Sequence, residues 1–164
     1  MSKERITIER IYIANITDIW DLWTTKEGLE SWWGPAGFST EVLEIDLRPG
    51  GVLRYEMTAV AEGMVEFMKN AGMPLTVPAE VKYTQVTPPT HLAYVHLADF
   101  IPGVDPYDVA TQVDFTVEGN TVKMVLTFDA MHDEAWTQRA TMGHESQLSK
   151  LDAVLAKIHS LLRK

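Results

Sequence analysis

Cysteine does not occur in the 164 residues, so disulfides, thiolate nucleophiles, zinc–thiolate sites and iron–sulfur clusters are excluded by composition. Basic residues are scarce. Fourteen Lys plus Arg stand against 23 Asp plus Glu, a formal net charge of −9, and such a surface repels phosphate backbones and anionic lipid. Neither nucleic acid nor a membrane is expected as a partner. Long apolar runs are missing too: no stretch approaches the ~18 residues of a membrane span, and MSKERITIER lacks the apolar core of a signal peptide. A cytoplasmic protein is the expectation.

Signatures of catalysis are equally sparse. His91, His96, His132, His144 and His159 form neither H-x-x-x-H nor H-E-x-x-H, so the reading contains no metal and no cofactor. Ser146 and Ser149 lack a G-x-S-x-G elbow, and Gly50-Gly51 is a turn rather than a phosphate cradle because no helix follows it.

What remains is a patterned chain, 46% hydrophobic, of the usual size for one domain with one core, here residues 1–164. RITIERIYI reads as a strand, in which Ile6 and Ile8 are out of phase with Ile11 and Ile13; a bulge would reconcile them. Ile16, Ile19, Trp20 and Trp23 then follow helical spacing. Thr24 and Glu27 match a capping box that restarts a second helix toward Trp32, with Gly34-Pro35 as its stop.

EVLEIDL and VLRYEMTA flank the turn-type cluster Arg48-Pro49-Gly50-Gly51 and predict a hairpin. Leu43, Ile45 and Leu47 share one face of its first strand, and Leu53, Tyr55 and Met57 one face of its second. Residues 60–79 read as an insertion with a short helix carrying Met64, Phe67, Met68 and Ala71. Strands resume at EVKYTQV, continue through HLAYVHLADF and, after the loop IPGVDPYD, end in a hairpin around Gly119-Asn120. There Thr111, Val113, Phe115 and Val117 oppose Val122, Met124, Leu126 and Phe128. Beyond Asp133 the chain is helical, with Leu148, Leu151, Leu155, Ile158 and Leu162 along one stripe. The order of elements predicts an α+β domain with the last helix laid across one face of the sheet.

Projected backward, the leucine stripe reaches His144, then Ala140 or Thr141, then Thr137, beside Gly143. A helix with leucine along one half and small or polar residues along the other does not fill space equally at both ends, which points to a cavity. Its candidate walls are Tyr55, Met57, Tyr94, His96, Phe115, Met124 and Phe128 from the sheet and Trp136, Ala140 and His144 from the helix. Trp32 or Trp33 stands at the mouth. Adjacent residues point in different directions, so one tryptophan of the pair anchors the short helices and the other borders the cavity. Phenol, imidazole and indole groups on apolar bodies suit a mainly hydrophobic ligand, and Met side chains adapt to its shape.

ITIERIYIANITDIWDLWTTKEGLESWWGP, LRPGGVLRYEM, KYTQVTPPTHLAYV and GHESQLSKLDAVLA together resemble the activator-of-heat-shock-protein-90-ATPase homologue-like family of the START-like, or SRPBCC, superfamily. The resemblance implies a helix-grip fold: a curved antiparallel sheet around a long C-terminal helix, with two short N-terminal helices and a hydrophobic cavity between sheet and helix. Family members often carry Gly-Trp where this chain has Gly143-His144, which implies a more polar wall, and the longer insertion at Met64–Met73 suggests a lid. Three functions are open: binding of a hydrophobic small molecule, with no catalytic residue assigned; a cyclase- or hydrolase-like reaction on a hydrophobic substrate, with His96 and His144 meeting across the cavity; and a chaperone-interaction module.

Overall fold

The structure, a computed structural model, describes residues 4–34, 36–98 and 103–162, the side chains of 161 and 162 excepted. Its elements are β1 (Arg5–Ile13), α1 (Ile16–Thr24), α2 (Lys26–Glu30), β2 (Phe38–Ile45), β3 (Val52–Ala59), α3 (Glu62–Asn70), β4 (Thr76–Thr87), β5 (His91–Ala98), β6 (Tyr107–Glu118), β7 (Thr121–Asp129) and α4 (Glu134–Leu162). The strands form one antiparallel sheet in the order β1-β7-β6-β5-β4-β3-β2. With α4 against one face of a curved sheet, this is the helix-grip arrangement.

Alternation decides which side chains face the helix. Val113 pairs with Leu126, Phe115 with Met124 and Ile8 with Leu126, and all are buried on the inner face. The last hairpin follows its sequence pattern, Val117 excepted, which is 56% exposed.

Several expectations need correction. β1 pairs with β7 in unbroken register, so no bulge brings its two apolar sets into phase, and Ile11 and Ile13 point outward at 64% and 53% exposure. Register shifts fall instead in β4, between Tyr83 and Gln85, and in β2, between Val42 and Glu44. The shift in β2 turns Val42 inward and leaves Leu43 exposed. The N-cap of α2 is Thr25, whose Oγ1 accepts from the Gly28 amide at 3.0 Å; the Thr24 hydroxyl donates to the Trp20 carbonyl instead. Gly28 allows α2 to pack onto α1, since a Cβ there would meet the Asp21 carbonyl oxygen at 2.3 Å.

Helix α3 buries Met68, while Phe67 is 62% exposed and Ala71 is exposed. β4 begins at Thr76, inside the segment read as insertion, because its pairing with β3 extends to Thr58. The expected stop at Pro35, the loop start at 101–102, the end of HLAYVHLADF at 99–100 and the Leu162 side chain lie outside the described residues. Helix α4 begins where Asp133 caps it, its Oδ1 accepting from the Trp136 amide at 2.8 Å.

Candidate functional site

The tryptophan pair leaves α2 in two directions. Trp32 is fully enclosed: its Nε1 donates to the Leu22 carbonyl at 2.7 Å and its ring meets Trp23 edge-on at 4.6 Å. It anchors α2 on α1. Trp33 turns toward the inner sheet face, its ring 5.9 Å from Tyr55 and 6.0 Å from Tyr94. Gly34, at φ +91°, turns the chain immediately afterward.

The turn is clasped by α4. Gln147 Oε1 accepts from the Gly34 amide at 2.8 Å and Ser146 Oγ from the Ala36 amide at 2.9 Å. Lys150 Nζ donates to the carbonyls of Trp33, Gly34 and Phe38 at 3.4, 3.2 and 3.1 Å, and burial lowers the pKa of its ammonium. On its other flank α4 is tied to β1, where Tyr12 Oη donates to Asp152 at 2.6 Å and Arg10 pairs with Glu145 and Asp152.

Between these ties a cross-strand row runs Tyr83–Tyr94–Thr111–Phe128. The His144 ring lies over Phe128, centroids 4.3 Å apart. Burial raises the phenol pKa values of Tyr83 and Tyr94, and the hydroxyls of Tyr55 and Tyr83 add to the effect at Tyr94. Tyr83 and Thr111 are 1% and 2% exposed, yet among the described residues neither hydroxyl has a hydrogen-bond partner, and the same holds for the Trp23 indole. Such orphans cost free energy, so each calls for a reason.

His96, on β5, is close enough to His144 to influence it. Burial first, then the His96 charge, pushes the His144 imidazole down to about 4. Burial also lowers His96, against the opposing pull of Asp108. Both rings are therefore neutral at neutral pH. The two imidazoles influence each other through space, and no carboxylate is bonded to either ring among the described contacts.

The remaining candidates spread out. Phe115, Met124 and Phe128 are fully buried, and Phe115 faces Trp20 and Trp23 at 6.3 and 6.1 Å, so it packs mainly under α1. Met57 and Ala140 are half-buried against the main core. Trp136 belongs to a separate cluster with Ala98, Val109, Tyr107 and Met131, and Arg139 lies 4.7 Å over its ring.

Inner-face positions toward this end, Met57, Val77, Ala79 and His96, are half-buried, as are Thr137, Ala140, Thr141 and His144 of α4. The face is neither sealed nor open. Two concavities lie elsewhere: one of about 180 Å³ on the outer sheet face between Arg5, Gln85, Ala93 and Gln112, and one of about 410 Å³ along α3 between Glu62 and Lys69. Among the described residues no His, Asp and Glu group is placed to hold a metal ion, and no helix is long and apolar enough to cross a membrane.

Sequence reasoning overlooked Tyr83 and Lys150 and treated Thr111 as part of a pattern only. The Thr111 signal was available, as a hydroxyl on the inward side of an otherwise apolar alternation. That of Lys150 was not, because its partners are backbone carbonyls more than a hundred residues away.

Against known proteins, the family model for Activator of Hsp90 ATPase homolog 1-like protein matches residues 14–156. Among solved structures, the chain is similar to a Chromobacterium violaceum protein (21% identity, 92% of this chain and 96% of that one, TM-score 0.73). It is also similar to the AHSA1 protein from Silicibacter pomeroyi (18%, 95% and 100%, 0.71) and to a Mycobacterium smegmatis protein (22%, 94% and 92%, 0.70). At these identities the likeness establishes the fold. No curated protein matches the chain significantly.

Proposed function

The chain belongs to the Activator of Hsp90 ATPase homolog 1-like family, and from that premise we propose that it binds a mostly hydrophobic small molecule between the N-terminal half of α4 and the inner sheet face. Family and fold support a ligand-binding or interaction module; the ligand, its chemistry and the site are our reading. Trp33, Tyr55, Met57, Tyr94, His96, Ala140 and His144 form the walls in this reading, with Phe128 as floor and Trp136 at the far rim. Residence in the cytoplasm belongs to the same reading, in keeping with a cysteine-free composition.

One observation carries it. Along α4, Leu148, Leu151 and Leu155 are at most 3% exposed, whereas Thr137, Ala140, Thr141 and His144, on the same stripe, stay half-buried above a face lined with aromatic rings. A guest with an apolar body would complete that burial.

Native mass spectrometry of the purified chain against lipids, aromatic polyketides and hormones tests the proposal. A one-to-one complex that also raises the unfolding temperature is the expected result. No retained species and no thermal shift across the panel would overturn it. A direct complex with heat-shock protein 90 and faster ATP turnover, with no ligand bound, would move the assignment to an interaction module.

A further inference from the structure

The sheet has two edges, β1 and β2, and treats them differently. At the β2 edge α2 takes up the backbone of Val42, whose amide donates to Glu30 Oε2 at 2.8 Å and whose carbonyl accepts from Lys26 Nζ at 3.0 Å. The register shift beside Val42 disturbs that edge further. β1 has neither device. It pairs with β7 in unbroken register, contains no proline, and among the described residues no strand lies beyond it.

Its free backbone groups can be located. The Ala130 amide donates to the Glu4 carbonyl at 2.9 Å, so Glu4 turns toward β7. In an antiparallel ladder every second residue does the same. Ile6, Ile8, Arg10 and Tyr12 therefore bond β7, and Arg5, Thr7, Glu9, Ile11 and Ile13, all exposed, turn their N–H and C=O groups to the open edge. Among the described residues the Glu9 carbonyl alone accepts a side chain there, that of Arg10 at 3.0 Å.

The residues of this edge are complementary to themselves. Set antiparallel to a second copy about a two-fold axis at Thr7, Arg5 faces Glu9 and Glu9 faces Arg5; on the inner side Ile6 faces Ile8 and Glu4 faces Arg10. Opposite charges directly across a strand pair attract and like charges repel. Other two-fold registers match less well: an axis at Glu9 opposes two carboxylates, one at Arg10 two guanidinium groups, one at Ile8 sets Ile6 against Arg10, and one at Ile11 sets Ile13 against Glu9. Within the chain Arg5 lies 3.5 Å from Asp129 and Glu9 3.8 Å from Lys123, yet their side chains are 54% and 58% exposed and accessible to a partner. An inward-pointing charge commonly guards an edge; here the Arg10 guanidinium is already neutralised by Glu145 and Asp152.

We infer that β1 is a self-association edge, at which two chains pair antiparallel about Thr7 and join their sheets into one. The bonds gained are backbone bonds, two at each of the positions Arg5–Glu9, Thr7–Thr7 and Glu9–Arg5. The exposed charges select the register more than they add affinity. So small an interface belongs to the weak, reversible class, with a Kd on the order of 100 μM.

Sedimentation equilibrium of the full chain from about 10 μM to about 1 mM reads this association, and a monomer–dimer equilibrium is the expected result. Thr7→Pro removes the outward amide at the centre and leaves the bonds to β7 in place; it should abolish the dimer while the circular-dichroism spectrum stays that of the folded chain. Arg5→Glu and Glu9→Arg each set like charges across the axis at both symmetry-related positions and should weaken the dimer about tenfold. Both substitutions in one chain restore opposite pairs across the axis and should return the Kd to within about threefold of wild type. Inside each chain that double variant still opposes Asp129 and Lys123, so recovered association cannot come from recovered stability. A chain that stays monomeric throughout, or a dimer that Thr7→Pro leaves intact, overturns the inference. A dimer indifferent to the single charge variants, or not recovered by the double, overturns the pairing about Thr7. The charge series decides the matter should Thr7→Pro fail to fold.

Discussion

The two halves of α4 share one helix and one stripe, and they do different work. From Leu148 to Leu155 the stripe is Leu148, Leu151 and Leu155, all sealed against the sheet, and Ile158 beyond them is half-buried. This half is also tied on both flanks, by Lys150 to the turn at Trp33 to Phe38 and by Asp152 to Tyr12. From Thr137 to His144 the same period continues with Thr137, Ala140, Thr141 and His144, all small or polar and all half-buried. Thr137 and Thr141 turn their hydroxyls back onto their own helix, to the carbonyls of Asp133 and Thr137 at 2.8 and 2.9 Å. One half is buried and tied on both flanks; the other is half-buried and bonded in part to its own backbone. Hydrophobic periodicity thus fixes which side of a helix faces the sheet, and residue size along that side sets how closely it is covered.

Truncation is the most direct way to break this contrast. Leu151→Ala removes a fully enclosed side chain and should cost about 3–4 kcal/mol in urea denaturation, from lost transfer energy plus a cavity. Thr141→Ala, half-buried and bonded only to its own helix, should cost under about 1 kcal/mol. Similar losses at the two positions would mean that both halves seal equally, and the contrast would fail.

A proton sharpens the same comparison. His144 is held down to about 4 in the folded chain, first by burial and then by the His96 charge, against about 6.5 when unfolded. The unfolded chain therefore takes up the proton first. Stability is fully present above pH 6.5 and declines as pH falls toward 4, by at most about 1.4 kcal/mol per pH unit and less where water reaches the half-buried ring. His96 shares the environment and the direction. His144→Leu should flatten the fall between pH 6.5 and 5, above the range where most carboxylates titrate. An unchanged slope in denaturation series at pH 7.5, 6.5 and 5.5 would show that water already reaches the ring freely.

Much of this contrast was legible in the residues. The leucine spacing, its decay into Ala, Thr and His, and the strict alternation around Gly119-Asn120 follow from periodicities that local geometry imposes. Legibility failed where pairing or distant contacts decide. Ile11 and Ile13 look like core until the unbroken register with β7 turns them outward, and Leu43 does so until a bulge shifts β2. Thr24 and Thr25 offer the same cap chemistry, and packing of α2 against α1 selects the second. Of the site, Tyr55, Tyr94 and His96 could be placed from strand alternation and His144 from the helical stripe, whereas Tyr83 was overlooked. The separate direction of Trp136 and the Lys150 clasp depend on loops brought together only by the fold.

The smallest expected effect concerns the sheet beneath the half-buried end of α4. Thr111 is 2% exposed between Tyr94 and Phe128, and its hydroxyl has no partner among the described residues. A buried hydroxyl without a hydrogen bond has given up water for nothing, so Thr111→Val, which replaces it with a methyl of similar size, should stabilise the ligand-free chain by about 1 kcal/mol and raise its Tm by about 2–4 °C. Val113→Thr is the control. Val113 is fully buried on the same strand and face, where a new hydroxyl would have no ligand to justify it, and that variant should be destabilised by a similar amount. A residue that weakens the fold where a simple replacement would strengthen it is what a binding floor requires, since the group left unsatisfied at rest is the one available to a guest. If Thr111→Val instead lowers the Tm, the hydroxyl already has a partner in the folded chain, and the floor beneath His144 is ordinary core.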